Sequence, residues 1–229
     1  MPPSLIAIDG PVASGKSTLG KRLADELGYL FIDSGVMYRA LTFLAVRDSV
    51  PVGDAQAMSV LALRAHIEIQ PPTVPDGRDN TILADGEDIT WGVRGKEVEN
   101  SVSVVAAHPE VRRILTGQLR RLGLRGQVVM VGRDVGTVIL PEADCKIFLT
   151  ASVEARARRR FEESQTRRAA GTGELRTHED ILANLRERDQ IDSSRLTAPL
   201  RPADDAVILD TTDLDLDGVL RAIEKVIGV

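Results

Sequence analysis

Residues Gly10-Pro11-Val12-Ala13-Ser14-Gly15-Lys16-Ser17-Thr18 fill every fixed position of the pattern G-x-x-x-x-G-K-[ST]. An apolar pentapeptide, Leu5–Asp9, precedes the run. After it, Leu19, Leu23 and Leu27 recur every four residues until Gly28. The order is strand, glycine-rich turn, helix, which is the setting of a phosphate-binding P-loop. Glycines let the main chain wrap closely around phosphate oxygens. Successive N–H groups and the helix N-terminus add partial positive charge. Lys16 is then placed for the β and γ phosphates of a nucleoside triphosphate, and the Ser17 hydroxyl for Mg²⁺.

A strand feeding such a loop belongs to an α/β fold. Leu5–Asp9, Tyr29–Ile32, Gln127–Val131, Cys145–Leu149 and Ala206–Leu209 are short and continuously apolar, as buried parallel strands are. Helical spacing lies between them. Val111, Ile114, Leu115, Leu119 and Leu122 follow Pro109. Ile181, Leu182 and Leu185 follow Thr177, a candidate N-cap. Leu216, Val219, Leu220, Ile223 and Ile227 close the chain. The expected fold is α/β, with a five-stranded parallel sheet covered by helices on both faces. A length of 229 residues fits one domain with an inserted subdomain.

The insert is predicted at about 65–91. His66-Ile67-Glu68-Ile69-Gln70 alternates as a strand does. Pro71, Pro72, Pro75 and Asp76-Gly77 break the chain, and Asp85-Gly86 marks a tight hairpin. A small antiparallel sheet is expected there.

With 43% apolar and 28% charged residues, the composition is that of a globular protein. A net charge of −5 argues against a nucleic-acid coat. The single Cys145 excludes an internal disulfide, and its apolar run marks it as a core residue. No stretch approaches the roughly 18 apolar residues of a membrane span, and no signal peptide is read at the start. The expected location is the cytoplasm, with no membrane partner. No long apolar stripe demands a partner chain, so a monomer is expected.

A P-loop does not define the fate of the phosphate. Asp33-Ser34-Gly35-Val36-Met37-Tyr38-Arg39 follows the second strand, at the sheet edge where α/β folds bind ligands. Arg39 could fork onto a second phosphate group. Equally, Ser34 could simply cap a helix, with Arg39 solvated. Gly132-Arg133-Asp134 follows another strand. Asp134 or Asp33 could hold Mg²⁺ through water or orient an acceptor, or Arg133 and Asp134 could be an ordinary ion pair. Arg188, Asp192 and Arg195 share one helix face. They offer guanidinium groups for a phosphate and a carboxylate for ribose hydroxyls, or a solvated charge stripe.

Arg156, Arg158, Arg159 and Arg160, followed by Arg167 and Arg168, form a dense basic run. Either a nucleic-acid patch or a lid would explain it. Aromatic residues are only 3% of the chain, too few to stack bases well, which favours the lid. Gly171-Thr172-Gly173 would be its tip. A lid excludes water from a triphosphate, and Arg156 and Arg159 are the candidates for neutralising the transferring phosphoryl.

Taken in order, these segments resemble the nucleoside monophosphate kinase family, in its bacterial cytidylate kinase branch. The resemblance is carried by Ile8-Asp9-Gly10-Pro11 with the P-loop, by Asp33–Arg39, and by Ser101-Val102-Ser103-Val104-Val105-Ala106-Ala107. Pro109-Glu110-Val111-Arg112, Gly132-Arg133-Asp134-Val135-Gly136-Thr137 and Lys146-Ile147-Phe148-Leu149 follow. Glu187-Arg188-Asp189 with Asp192, Arg195 and Ala198-Pro199-Leu200 completes it.

The resemblance implies one kinase domain over 1–229, with a monophosphate-binding region at about 34–112 and a lid at about 156–176. It implies transfer of the γ-phosphoryl of ATP to CMP or dCMP, with Mg²⁺ and no nucleic acid as partner. Ser34, Tyr38, Arg39, Arg133 and Arg188 would surround the acceptor, and the three arginines suit its phosphate. Ser103, Arg112 and Asp134 would read the cytosine edge, and Asp192 and Arg195 would reach the ribose. Ser17 stands where relatives often have Gly, which restores the ordinary Mg²⁺ ligand. A GTP-reading switch would need Asn-Lys-x-Asp, which the chain lacks.

Overall fold

The computed structural model describes residues 2–169, 177–195 and 197–227. The expected lid tip, Gly171-Thr172-Gly173, lies outside the described residues, as do the side chains of Arg167 and Arg168. A five-stranded parallel sheet has the strand order β2-β6-β1-β7-β8, and a three-stranded sheet has the order β3-β4-β5. Their strands are β1 (Leu5–Asp9), β2 (Leu30–Asp33), β3 (Ile67–Gln70), β4 (Thr81–Ala84), β5 (Glu87–Asp88), β6 (Val128–Gly132), β7 (Cys145–Thr150) and β8 (Val207–Asp210). The chain divides into two compact units, Met1–Leu23 with Val131–Val229, and Ala24–Met130.

In the first unit, β1 is buried along its whole length and pairs in parallel with β7, Ile6 opposite Cys145 and Asp9 opposite Phe148. Helix α1 (Lys16–Leu27) starts inside the P-loop motif. Helices α6 (Val153–Ala169) and α7 (His178–Ser194) pack together. Thr177 caps α7 as expected: its hydroxyl accepts from Asp180 N, and the Asp180 carboxylate accepts in return from Thr177 N. Ala157, Ile181 and Leu185 form a small buried core, against which Val12 and Ala13 of the P-loop are packed. Helix α8 (Leu216–Ile227) buries Val219, Leu220, Ile223 and Ile227.

Strand β8 departs from the expectation of a buried strand. It is the last strand of its sheet, with Val207 38% and Ile208 58% exposed. It also starts one residue late, because Ala206 N is spent on a turn bond to Ala203 O.

In the second unit, α1 ends as its last leucine and Gly28 predict. Gly28 adopts φ +68°, and Tyr29 N reaches back to Ala24 O, the bond pattern of a Schellman cap. Tyr29 is therefore part of the cap, and β2 begins at Leu30. Gln127 has φ +54°, so β6 likewise begins one residue later than its apolar run. Helices α2 (Gly35–Arg47), α3 (Ala55–Arg64), α4 (Lys96–Val105) and α5 (Pro109–Gly123) complete the unit. Asp54 caps α3 by accepting from Gln56 N and Ala57 N.

The antiparallel sheet lies at the expected place. Asp85 (φ +51°) and Gly86 (φ +85°) make a two-residue turn with both central residues left-handed, joining Ala84 to its partner Glu87. The buried Arg78 side chain clasps the excursion between β3 and β4. It donates to Asp76 Oδ1 (2.8 Å) and Oδ2 (2.6 Å), and to Asp88 Oδ2 (2.6 Å). These bonds hold the Asp76 and Asp88 carboxyls below the usual range, Asp88 at about 2.

Candidate active site

The P-loop bridges the end of β1 and the start of α1. Gly10 is required by space: a Cβ there would lie 2.2 Å from the Leu149 carbonyl oxygen of β7. Gly15 is required by conformation, at φ +92°. Ala13, at φ +60°, takes the same left-handed region without being glycine. Lys16 is buried and folds back over its own loop, donating from Nζ to Pro11 O (2.6 Å) and to Ser14 Oγ (3.4 Å). Ser17 is exposed on the first turn of α1.

Beside the loop stands a group that the sequence reading missed. The Asp9 carboxylate, 5% exposed, accepts from Val135 N at Oδ1 (2.8 Å) and from Gly136 N at Oδ2 (2.7 Å). Burial pushes its carboxyl up to about 6, against the two backbone donors. The signal available was an acid closing a buried strand immediately before the first loop glycine. Val135 and Gly136 begin a single π-type turn, Val135–Ile139, directly after Arg133 and Asp134.

The structure joins Arg133, Asp192 and Arg195. Arg133 Nε donates to Asp192 Oδ2, and Arg195 Nη2 pairs with Asp192 Oδ1. Asp192 is buried, so its two guanidinium partners offset the cost of taking the carboxylate out of water. The alternative of an ordinary Arg133–Asp134 pair gives way to the partner on α7. Asp134 is buried, and Arg188 lies one turn before Asp192. Leu200 N donates to Asp192 O (2.9 Å), fastening the Ala198-Pro199-Leu200 segment to the end of α7.

The arginines of α6 are held differently from one another. Arg156 is buried and bound to Asp189, to Val12 O (3.1 Å) and to Ala151 O (3.1 Å). Arg159 donates from Nη1 to Thr211 Oγ1 (3.1 Å) and from Nη2 to Thr211 O and Leu214 O. Arg158 is exposed. Cys145 is half-buried rather than a core residue, and burial pushes its thiol up, away from a nucleophile's thiolate.

In the second unit, Ser34 and Tyr38 lie one turn apart at the start of α2, and both are buried. Ser34 does not cap α2 with its hydroxyl. Instead Asp33 Oδ1 accepts from Gly35 N (2.9 Å). Arg112, only 6% exposed, carries its guanidinium 5.5 Å from the centre of the Tyr38 ring and donates to Ala106 O (3.4 Å). Ser103 is exposed on α4, which packs against α2. Arg39 is half-buried and makes no hydrogen bond or ion pair with another described residue.

Residues 6–228 match the family model described as cytidylate kinase. The chain belongs to the cytidylate kinase family. Curated cytidylate kinases are similar over nearly the whole length. The protein of that name from Herpetosiphon aurantiacus is 47% identical over 227 residues, 99% of this chain and 95% of the relative. That from Geobacillus kaustophilus is 47% identical over 223 residues, covering 97% and 96%. That from Chloroflexus aggregans is 49% identical over 207 residues, covering 90% and 86%. For this member of the cytidylate kinase family, no helix among the described residues is long and apolar enough to cross a membrane.

Proposed function

We propose that the chain transfers the γ-phosphoryl of ATP to CMP or dCMP, giving ADP and CDP or dCDP. The observation that carries this reading is the cytidylate kinase family match over residues 6–228. The P-loop geometry and the identity with curated cytidylate kinases support it.

Residues 10–18 form the ATP-binding loop, with Lys16 on the β and γ phosphates. Mg²⁺ bound with ATP would supply charge neutralisation on the phosphates. The exposed Ser17 hydroxyl and, through water, the Asp33 carboxylate suit it, because Mg²⁺ favours oxygen donors and keeps several waters. The acceptor region spans about 34–112 and the lid about 156–176. Arg39, Arg133 and Arg188 take the acceptor phosphate. The half-buried guanidinium of Arg39, unengaged by any other described residue, supports its part in this set. Ser34 and Tyr38 line the acceptor, while Ser103, Arg112 and Asp134 read the base. Asp192 and Arg195 contact the ribose, and because Arg133 and Arg195 hold both oxygens of the Asp192 carboxylate, this contact requires exchange of those partners.

The lid arginines are Arg156 and Arg159. Both are engaged by protein acceptors, so reaching a phosphoryl group requires exchange of those partners. No general base is needed, since an acceptor phosphate oxygen is already anionic at neutral pH. The chain acts as a monomer in the cytoplasm, without nucleic acid or membrane.

An acceptor panel tests this reading. ADP formation from ATP and Mg²⁺ is measured with CMP, dCMP, UMP and AMP. CMP or dCMP should be the best acceptor. A clear preference for AMP or UMP would overturn the base assignment, and acceptor-independent hydrolysis alone would overturn the kinase reading. Light scattering in solution checks the monomer.

A further inference from the structure

We infer that Asp9 is a positioning residue for phosphoryl transfer, its carboxylate locking the turn that carries Arg133 and Asp134 to the strand that feeds the P-loop. This rests on the kinase reading above. Val135 and Gly136 lie in the first turn of the π-type segment, where backbone N–H groups have no partner within the segment itself. Three of the later donors are satisfied locally: Val138 N and Ile139 N reach Asp134 O, and Leu140 N reaches Val135 O. The first two N–H groups each take one oxygen of Asp9.

An isolated buried carboxylate is a costly way to cap a turn. A carboxylate does what a smaller acceptor does not: it offers two oxygens in one rigid plane to two successive donors. The packing admits little slack. A Cβ on Gly136 would lie 3.4 Å from Asp9 Oδ2 and 3.3 Å from Cγ and Cδ of Lys146. The buried Lys146 is itself fixed, with Nζ on both oxygens of Asp205.

Asp9 thus stands next to Gly10 on one side and two residues from Arg133 through its bonds on the other. Arg133 passes the register on to Asp192 of α7. The last residue of β1 therefore sets where the Arg133 guanidinium lies relative to the loop that begins at Gly10. A misplacement of about 1 Å between reacting groups can cost on the order of 10²-fold in rate.

The test compares Asp9→Asn and Asp9→Glu with the parent enzyme, measuring kcat, KM for ATP, KM for CMP and thermal stability. Asn keeps the size but can accept only at one atom, turning an amide N–H toward a backbone N–H. Asp9→Asn should lower kcat by on the order of 10²-fold, with each KM changed less than about threefold, in protein that is folded at the assay temperature. Asp9→Glu, one methylene too long for the same bonds, should not restore kcat. A folded Asp9→Asn enzyme with kcat within about threefold of the parent overturns the inference, as does a loss confined to KM. If Asp9→Asn does not fold, Asp9→Glu, which keeps the charge and moves both oxygens, is read in its place. It should show the same kcat-selective loss, and unchanged kcat there overturns the inference too. The parent's own CMP-dependent turnover separates this from the kinase reading: if the parent lacks it, the reading fails, whatever Asp9 does.

Discussion

The Arg156 guanidinium meets the Asp189 carboxylate end-on, with Nη1 3.0 Å from Oδ1 and Nη2 2.5 Å from Oδ2. The same Nη1 donates to Val12 O of the P-loop at 3.1 Å. One arginine therefore ties α6, α7 and the phosphate loop. Arg156 is 4% exposed, so it has little water to fall back on.

Removing the charge of Asp189 should expose this dependence. Asp189→Asn is expected to lower stability by about 2–3 kcal/mol and the melting temperature by about 5–10 °C. Thermal melts of the single and double variants with Arg156→Met close a cycle. The double variant should be less destabilised than the sum of the two singles, and simple additivity would contradict the tie.

At Gly10 the expectation is severe. The Leu149 carbonyl oxygen, 2.2 Å from where an alanine methyl would sit, is main chain of β7 and cannot rotate away. Gly10→Ala should therefore displace the loop or the strand and reduce ATP-dependent turnover by on the order of 10²-fold or more. Steady-state kinetics on the folded fraction checks it.

Arg39 and Arg188 are proposed to act on the acceptor, not on ATP. Arg39→Ala and Arg188→Ala should each reduce kcat/KM for CMP by roughly 10–10³-fold while leaving the dissociation constant of ATP nearly unchanged. Titration of ATP by calorimetry, beside CMP kinetics, separates the two. Equal losses for both nucleotides would point to damage of α2 or α7.

The pH dependence of stability has two opposite parts. Asp9, raised to about 6 by burial, holds its proton in the folded chain where the unfolded chain has lost it. Its contribution is fully present below about pH 4, declines between about pH 4 and 6, and is flat above that. Asp88, held at about 2 by Arg78, behaves the other way. Its contribution is present above about pH 4 and is lost as pH falls toward 2. The difference in melting temperature between the parent and Asp9→Asn should change progressively as the pH falls from about 6 to 4. Parallel curves would contradict the assignment.

Much of the fold is legible from local chemistry. The P-loop, the Gly28 cap, the Thr177 cap and the Asp85-Gly86 turn are each fixed by neighbouring residues, and each lies where its residues predict. The strand ends slip by one residue where a turn or cap claims the first residue of the run, as at Tyr29, Gln127 and Ala206. Sheet order is not local. The apolar content of Val207–Asp210 resembles that of a central strand, and only the strand order reveals an edge. Helix α3 is not legible, because its apolar residues run almost continuously and leave weak helical periodicity. The site divides in the same way. Its motif residues are readable, whereas the Asp9 clamp joins residues 126 apart and the Arg156–Asp189 pair joins residues 33 apart.

The exposed edge formed by β8 has a consequence for the protein in concentrated solution. Val207 and Ile208 lie on a strand with one side open, a template onto which a second copy could add its own strand. Asp204 and Asp205 precede this strand and Asp210 ends it. Two copies approaching edge to edge would bring these carboxylates together and repel. Asp205, bonded to Lys146, and Asp210, bonded to Thr212, both titrate below the usual range and so keep their charge in mild acid. Neutralising the acids that flank β8, above all Asp204 and Asp210, is therefore expected to make this edge more adhesive.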